Sequence, residues 1–214
     1  MTSHHLRQLR DLLRFSVVSE DGPLGRLTGL VLDPADWKIR HAVVADEGAD
    51  GESVMVPVRF FRSIADKRGE LHFDIAGEVL LSPGGLRGGG LAQPPLVDAM
   101  NVLGRKVAGC DEAAGLIEDL IVNIDSWQLR YLVIQTVTGR VLTDVEWCAS
   151  FGGEGPGVSL DLPAAAVTAA PPYHGLDELS IGDEEVLYRH YTSRKYATEA
   201  NAAQVSRTRA GRPR

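Results

Sequence analysis

The chain has 214 residues, of which 44% are hydrophobic, and it carries a formal net charge of −7 at pH 7. This charge disfavours a protein whose whole surface binds nucleic acid, and two cysteines are too few for a disulfide framework. The N-terminal residues contain no apolar run of signal-peptide length, and no segment is long and apolar enough to cross a bilayer. We therefore expect a cytoplasmic protein with reduced thiols and no transmembrane segment.

The first part of the chain is expected to form short β-strands. Leu6, Leu9 and Leu13 lie near one face of a predicted helical turn, and from Phe15 onward the β-branched residues favour a strand. Further strands are predicted over residues 25–32, 37–45, 54–57 and 71–75. Turns separate these strands, as in the sequence Asp-Pro-Ala-Asp over residues 33–36.

One stretch of the chain occurs twice. Residues 29–44 and 119–134 each contain short apolar residues, a polar turn, a tryptophan, a basic residue and more apolar residues in the same order. Trp37 matches Trp127 at an offset of 90 residues. Later strands match at an offset of 87, because the acidic loop over residues 46–53 is three residues shorter in the second copy. The pattern predicts two copies of one small β domain.

The repeat and the local composition predict the domain organisation. Residues 84–95 contain five glycines and two prolines, which is typical of a linker. We therefore predict a first copy over residues 1–83 and a second over residues 96–172. The tail, residues 173–214, is expected to form a short helix over residues 176–191 and then to be mostly disordered, because its end is basic and poor in apolar residues.

Each copy carries the same ordered set of turn and hairpin residues. In the first copy the set is Asp21, Gly22, Gly25, Trp37 and Arg40. In the second copy it is Asp111, Gly115, Trp127 and Arg130. The second copy departs from the first at Glu112, which stands in place of a glycine, and at Asp144, which stands in place of Pro57.

This pattern resembles the PRC-barrel domain, a small β-barrel named after the cytoplasmic domain of the photosynthetic reaction-centre H subunit. A related barrel forms the C-terminal half of the bacterial ribosome maturation factor. The resemblance covers most of residues 10–172 and extends to the tandem arrangement of two such barrels in many bacterial proteins. It implies an all-β fold of two small tandem PRC-type barrels, each with five or six strands and related by a pseudo-twofold axis, followed by a short helical tail.

The apolar positions shared by the two copies are expected to form the core. Side chains of a strand alternate between its two faces, so one face of each strand is buried. The first core residues we expect are Trp37, Val43, Val56, Phe73, Trp127, Val133, Leu142 and Leu160.

The resemblance implies a binding module and not an enzyme. The reaction-centre barrel supports a membrane complex from its cytoplasmic side, and the ribosome maturation barrel docks on a ribosomal protein. We expect neither the transmembrane helix of the first nor the separate RNA-handling domain of the second here, so neither specific function transfers. We expect a non-catalytic adaptor that supports assembly of a protein complex and binds a protein partner or a second copy of itself.

Two alternatives stay open. The first is an RNA- or ribosome-associated assembly factor, because the tail contains basic residues that could bind RNA with salt-dependent affinity. These residues are Arg194, Lys195, Arg207, Arg209, Arg212 and Arg214. The second is a small-ligand or metal sensor, or an enzyme, that uses acidic loops. Its residues would be Asp33, Asp36, Asp46, Glu47 and Asp50, although turns also prefer Asp for local hydrogen bonding.

No arrangement of residues predicts catalytic chemistry. The histidines, among them His41 and His72, share no zinc-like spacing with each other or with the cysteines. There is no Gly-x-Ser-x-Gly sequence, and Cys148 aligns with Phe61, which favours a buried apolar role. We therefore expect no catalytic residue, no metal and no cofactor.

The candidate interaction surface consists of the two tryptophans and the arginines three residues after them: Trp37, Arg40, Trp127 and Arg130. Trp and Arg are favoured interface anchors, and a duplicated chain would present them twice. The other interpretation is that each Trp caps an open barrel end and packs the hairpin. We favour packing for the tryptophans, with the arginines exposed and available.

Overall fold

The computed structural model describes residues 5–45, 53–76, 96–151 and 157–193. The predicted linker and most of the acidic loop, residues 46–52, lie outside these ranges. So do the basic tail residues Arg194, Lys195, Arg207, Arg209, Arg212 and Arg214, and the loop residues Asp46, Glu47 and Asp50.

The first half of the chain forms strands joined by tight turns. They are β1 (Leu6–Gln8), β2 (Ser16–Ser19), β3 (Gly22–Asp33), β4 (Lys38–Ala45), β5 (Ser53–Pro57), β6 (Phe61–Ala65) and β7 (Glu70–Phe73). A short helix, Leu9–Leu12, follows β1, and a 3-10 helix, Val58–Phe60, joins β5 directly to β6. The prediction of short strands is confirmed, whereas the predicted helical turn begins only at Leu9, after a strand.

These strands pair in the order β5-β4-β3-β2-β7-β6. All the pairs are antiparallel except β2 with β7, where Val17 lies opposite Leu71 in a parallel pair. β5 and β6 are the two edges of this run, although only one 3-10 turn separates them along the chain. No pairing joins β5 to β6 within the described ranges, so this sheet is not closed there.

The second half forms a matching series of strands. They are β8 (Val97–Asp98), β9 (Lys106–Ala108), β10 (Ala113–Asn123), β11 (Gln128–Gln135), β12 (Arg140–Asp144), β13 (Cys148–Phe151) and β14 (Gly157–Leu160). The 3-10 helices here are Ala99–Val102, Val145–Trp147 and Leu176–Glu178, and the α-helices are Ala164–Thr168 and Ile181–Tyr191.

The second half repeats the pairing order of the first. Its strands pair as β12-β11-β10-β9-β14-β13, again with one parallel pair, here β9 with β14. A 3-10 helix again joins the two edge strands, β12 and β13. The prediction of an all-β chain is confirmed, and six strands follow the same order in each half.

The chain folds as two compact units. The N-terminal unit comprises Arg7–Met100 and Asn123–Leu129, and the C-terminal unit comprises Met1–Leu6, Asn101–Val122 and Arg130–Arg214. The turn between β10 and β11 therefore belongs to the N-terminal unit, although it is part of the second copy in the sequence. Both repeated hairpin ends consequently lie in one unit.

Most of the predicted core residues are buried. Those with little exposure are Val56, Phe73, Trp127, Val133, Leu142 and Leu160. Val43 is only half-buried, because its neighbours Ala42 and Val44 face the core and successive side chains of a strand point to opposite faces. Trp37 is also half-buried. It precedes β4 at the end of the hairpin turn, so the alternation of the strand does not determine its burial.

One glycine of the repeat is required by close backbone approach. Gly115 in β10 has a φ of 156°, and a Cβ atom there would collide with the carbonyl oxygen of Gln135. Gly25, ninety residues earlier, has a φ of 146°. Both positions therefore adopt backbone conformations that side chains with a Cβ rarely take.

The helix Ile181–Tyr191 packs within the C-terminal unit. A capping box begins it: the Asp183 N–H donates to Ser180 Oγ and the Ser180 N–H donates to an Asp183 carboxylate oxygen. At its end the buried Tyr191 hydroxyl donates to the carbonyl of Leu142 at 2.7 Å and lies 3.0 Å from the Thr143 hydroxyl. Of the helices described, none has the length and apolar character needed to cross a membrane.

Candidate functional site

Both repeated tryptophans adopt the same unusual backbone conformation. Trp37 has a φ of 61° and Trp127 a φ of 49°, and they are the non-glycine residues with positive φ among those described. This left-handed conformation costs about 1–2 kcal/mol for a residue with a Cβ. Its recurrence ninety residues apart shows that the two hairpins turn in the same way.

The two hairpin ends pair with each other inside the N-terminal unit. The Ile39 N–H donates to the carbonyl of Trp127 at 2.7 Å, and the Leu129 N–H donates to the carbonyl of Trp37 at 2.8 Å. Between these bonds Lys38 lies opposite Gln128 in an antiparallel pair. Each bond joins a tryptophan of one copy to the residue two positions beyond the tryptophan of the other.

Trp127 is a packing residue. Only 5% of its surface is exposed. Its ring contacts Phe61 edge-on, with a centroid distance of 5.0 Å, and lies 6.4 Å from Phe73. Its indole Nε1 is buried and has no hydrogen-bond partner among the described residues. The packing interpretation therefore describes Trp127 better than the half-buried Trp37.

Arg40 stabilises its own hairpin. Its guanidinium donates to a carboxylate oxygen of Asp33 at 2.8 Å and to one of Asp36 at 2.7 Å. The Asp33 side chain is 5% exposed, whereas the Arg40 side chain is 39% exposed. The Arg40 hydrogen bond is the largest cause of a lowered pKa for Asp33, and the bond to Asp33 is the largest cause of a raised pKa for Arg40.

Arg130 has different surroundings because the second hairpin lacks these carboxylates. Asn123 stands at the position of Asp33, and its side-chain oxygen accepts the N–H groups of Asp125 and Ser126. Arg130 instead lies 3.7 Å from a carboxylate oxygen of Asp144. The residue that replaces Pro57 thus supplies the charge partner that the turn no longer provides.

The surroundings of Asp144 and Tyr131 are only partly polar. Burial is the largest cause of a raised pKa for Asp144, opposed by a backbone hydrogen bond from Glu146 and by Arg130. Burial also raises the pKa of Tyr131 to about 12, and its hydroxyl donates to Glu184 at 3.0 Å. Arg130 therefore belongs to a group of polar side chains on the C-terminal unit that also includes Asp144, Tyr131 and Glu184.

An open groove lies beside the first hairpin end, entirely within the N-terminal unit. Its volume is about 490 Å³. Its polar lining includes Lys38, Arg40, His41, Arg59 and Asp125. Val58, Phe61 and Trp127 contribute apolar and aromatic surface. The pairing of β4 with β5 and the 3-10 helix after β5 bring these side chains together.

The positively charged side chains of the groove differ in whether a carboxylate lies close enough to offset their charge. The charge of Arg40 is offset by two carboxylates. The exposed side chains of Lys38 and Arg59 have no carboxylate within ion-pair distance in the described part of the chain, and the Arg59 guanidinium lies over the Phe60 ring at 4.7 Å. Burial, followed by the charges of Arg59 and Arg40, lowers the pKa of His41, and its Nδ1 has no partner among the described residues.

The other candidate groups do not assemble into a reactive centre where the structure describes them. No group of three His, Cys, Asp or Glu in those ranges is placed to hold a metal ion. His72 pairs with Glu70 at 3.0 Å. Burial, followed by the charges of Asp144 and Asp161, raises the pKa of the Cys148 thiol to about 12, so the thiolate is disfavoured at neutral pH.

Sequence reasoning identified Trp37, Arg40, Trp127 and Arg130 but not the groove. The structure places the first three at the groove or its hairpin, and Arg130 in the network with Asp144. Lys38 and Arg59 were missed, since charged residues near a turn are common and nothing in the sequence links positions 38 and 59.

The described chain is a β-rich protein with a duplicated strand order and a cationic groove at one hairpin end. Neither the protein-family models nor the curated proteins compared with this chain match it. The PRC-barrel resemblance therefore stays a prediction from the sequence pattern, and the groove is the basis for the function proposed next.

Proposed function

We propose that the chain is a cytoplasmic, non-catalytic binding module of the PRC-barrel type that supports assembly of a protein complex. The observation that carries this proposal is the groove beside the first hairpin. It combines the uncompensated cations Lys38 and Arg59 with the apolar surface of Val58 and Phe61. Arginine and aromatic residues around an apolar centre are typical of protein interfaces.

We also propose that each half is a small barrel that closes between its two edge strands, although these strands are not hydrogen-bonded to each other in the described residues. In both halves the two edge strands follow each other along the chain across one 3-10 turn, Val58–Phe60 or Val145–Trp147. Closure would leave no unpaired edge for non-specific strand addition. Partner recognition would then depend on side chains at the hairpin ends and in the groove.

The duplicated hairpin supports a scaffold role for most of the repeated residues. Arg40 is bonded within its own turn, and Trp127 is buried against Phe61. Their interactions hold the backbone around the groove in one conformation. A preorganised surface binds a partner with a smaller entropic cost than a flexible one.

The test is affinity capture of the tagged full chain from native lysate, with one half of the sample treated with nuclease. One protein recovered in stoichiometric amount after nuclease, and bound again when both proteins are purified, supports the proposal. Recovery of the chain alone, with a dimer mass by light scattering, identifies a second copy as the partner.

Two results would contradict the proposal. Ribosomal proteins that disappear after nuclease treatment would favour an RNA- or ribosome-associated factor. Absence of any partner, together with stabilisation of the purified chain by a metal or nucleotide in a thermal-shift screen, would favour a small-ligand sensor.

A further inference from the structure

We infer that the groove binds a short, extended, acidic and partly apolar segment of a protein partner, with Lys38 and Arg59 contacting its carboxylates. This inference rests on the proposed binding function and specifies the chemistry of the partner. It is carried by charge complementarity and by the apolar wall of the groove.

The charges of the groove favour an anionic ligand. The whole chain carries a net charge of −7, yet Lys38 and Arg59 share one groove, and neither forms an ion pair with a carboxylate of the described residues, although Asp125 also lines the groove. Arg40 adds a third cation, although Asp33 and Asp36 already offset its charge. A carboxylate in the groove would therefore interact mainly with Lys38 and Arg59.

The apolar lining favours a ligand that also contains apolar side chains. Val58 and Phe61 are half-buried, so each keeps surface that a ligand could cover. The groove volume of about 490 Å³ suits several side chains of a short peptide better than a single ion. Alternating acidic and apolar residues would present both chemistries from an extended chain.

Two ring nitrogens of the lining lack partners. Only 5% of the Trp127 surface is exposed, and its indole Nε1–H group can only donate a hydrogen bond. His41 Nδ1 is also buried without a partner among the described residues. Buried polar groups are normally hydrogen-bonded. Neither nitrogen has accessible surface in this structure, so a bound segment would contact the surrounding lining and not these atoms.

The same lining disfavours a single-stranded nucleic acid. Proteins that bind such strands stack bases on exposed aromatic rings, whereas the ring of Trp127 is buried and packs against Phe61, with Phe73 nearby. The carboxylate of Asp125 also lines the groove and would repel a continuous row of phosphates. A segment with few, spaced carboxylates avoids that repulsion.

The direct test is a fluorescence-anisotropy titration of the full chain with a fluorescein-labelled hexapeptide of alternating Glu and Leu. We expect binding that weakens as salt is added. The double variant Lys38→Ala/Arg59→Ala should raise the Kd of the peptide about five- to tenfold, because two exposed charge contacts are lost. The matched control Lys67→Ala/Arg68→Ala removes the same charges from an exposed turn outside the groove and should leave the Kd unchanged.

Specificity is measured with two further probes. A hexapeptide of alternating Lys and Leu should not bind, and a uridine hexanucleotide should bind more weakly than the acidic peptide. In nitrogen-15 spectra the indole N–H signal of Trp127, assigned with Trp127→Phe, should shift on addition of the acidic peptide. The signal of Trp147, which does not line the groove, should stay in place.

Each contrary result overturns the inference. These results are no binding of the acidic peptide at millimolar concentration, tighter binding of the oligonucleotide, or equal loss of affinity in the groove variant and the control. If the captured partner binds the groove variant as well as the wild type, the acidic-segment inference fails while the proposed binding function stands. If no partner is captured and the purified chain is a monomer by light scattering, the proposed function itself fails.

Discussion

Lys38 and Gln128 lie opposite each other in an antiparallel pair, and they occupy equivalent positions of the sequence repeat, ninety residues apart. The bonds on either side of this pair, from Ile39 to Trp127 and from Leu129 to Trp37, are related in the same way. The two copies therefore meet through the same backbone atoms. Substitutions at matched positions of the two hairpins therefore measure how much each copy contributes to the free energy of unfolding.

Arg40 should contribute more to stability than its equivalent Arg130. Arg40→Ala removes two short hydrogen bonds and leaves the buried Asp33 carboxylate without them, whereas Arg130 lies 3.7 Å from Asp144. Because Arg40 is partly exposed, we expect a loss of about 1–2 kcal/mol in the free energy of unfolding, and less than about 1 kcal/mol for Arg130→Ala. Urea denaturation of both variants measures the difference, and equal losses would contradict it.

The Asp33–Arg40 pair should make stability depend on pH in the acid range. The pKa of Asp33 is lowered in the folded state, so its stabilising contribution is present above its ordinary pKa and is lost as the pH falls through the folded value. We expect Arg40→Ala to reduce the slope of unfolding free energy against pH below about pH 4.

The control for this pH series is Arg62→Ala. Arg62 forms an exposed ion pair with Asp74 at 3.3 Å, and exposed pairs contribute little to stability. The slope of this variant should match that of the wild type. A slope that changes equally in both variants would assign the effect to net charge and not to the Asp33 pair.

The two tryptophans should respond differently to the same substitution. Trp127→Gly removes a buried ring that contacts Phe61, and we expect a loss of about 3–5 kcal/mol in unfolding free energy. Trp37→Gly removes only a half-buried ring, so we expect a loss of about 1 kcal/mol. Glycine relieves the strain of a positive φ at both positions, so this relief does not distinguish the two variants. Chemical denaturation monitored by far-ultraviolet circular dichroism measures both. A larger loss for Trp37→Gly would contradict the assigned roles.

Gly115 should not tolerate a methyl group. Gly115→Ala places a Cβ against the carbonyl of Gln135 at a backbone conformation that already disfavours one, and we expect a loss of about 3 kcal/mol or more. Gly139→Ala is the matched control, because Gly139 also has a positive φ, 132°, but has open space where the Cβ would lie. Its cost should be about 1 kcal/mol. Similar costs for the two variants would show that the close approach to Gln135 is unimportant.

The Tyr191 hydroxyl should anchor the helix Ile181–Tyr191. Tyr191→Phe removes the bond to the Leu142 carbonyl and the contact with Thr143, both buried, and we expect a loss of about 1–2 kcal/mol. Tyr188→Phe changes a side chain that is 65% exposed and should alter stability by less than about 0.5 kcal/mol. Thermal denaturation of both variants distinguishes the two outcomes.

Much of the fold follows from local patterns in the sequence. Alternation in β7 and β14 correctly predicts that Phe73 and Leu160 are buried, because strand geometry fixes which face each side chain occupies. By the same rule Val43, which stands between the buried Ala42 and Val44, faces away from the core and is half-buried, so the prediction of Val43 as a core residue was wrong. Trp37 lies at a turn, where no simple periodicity predicts burial.

The candidate site was less accessible to sequence reasoning. Arg40 and Arg130 have the same place in the repeat, but their partners come from the turn in one copy and from Asp144 at the end of β12 in the other. Lys38 and Arg59 come together only because β4 pairs with β5 and a 3-10 turn follows. Non-local contacts of this kind leave no periodic signal.

The sequence by itself determined the β-rich class, the duplication and the hairpin with its Trp and Arg, because these depend on local backbone preferences and on a period that can be read along the chain. Only the tertiary structure decided that Trp127 is buried while Trp37 is half-buried, and that Lys38 and Arg59 share a groove. The physical reason is that burial and charge compensation depend on which distant residues pack against a side chain, and equivalent positions of a repeat can have different neighbours.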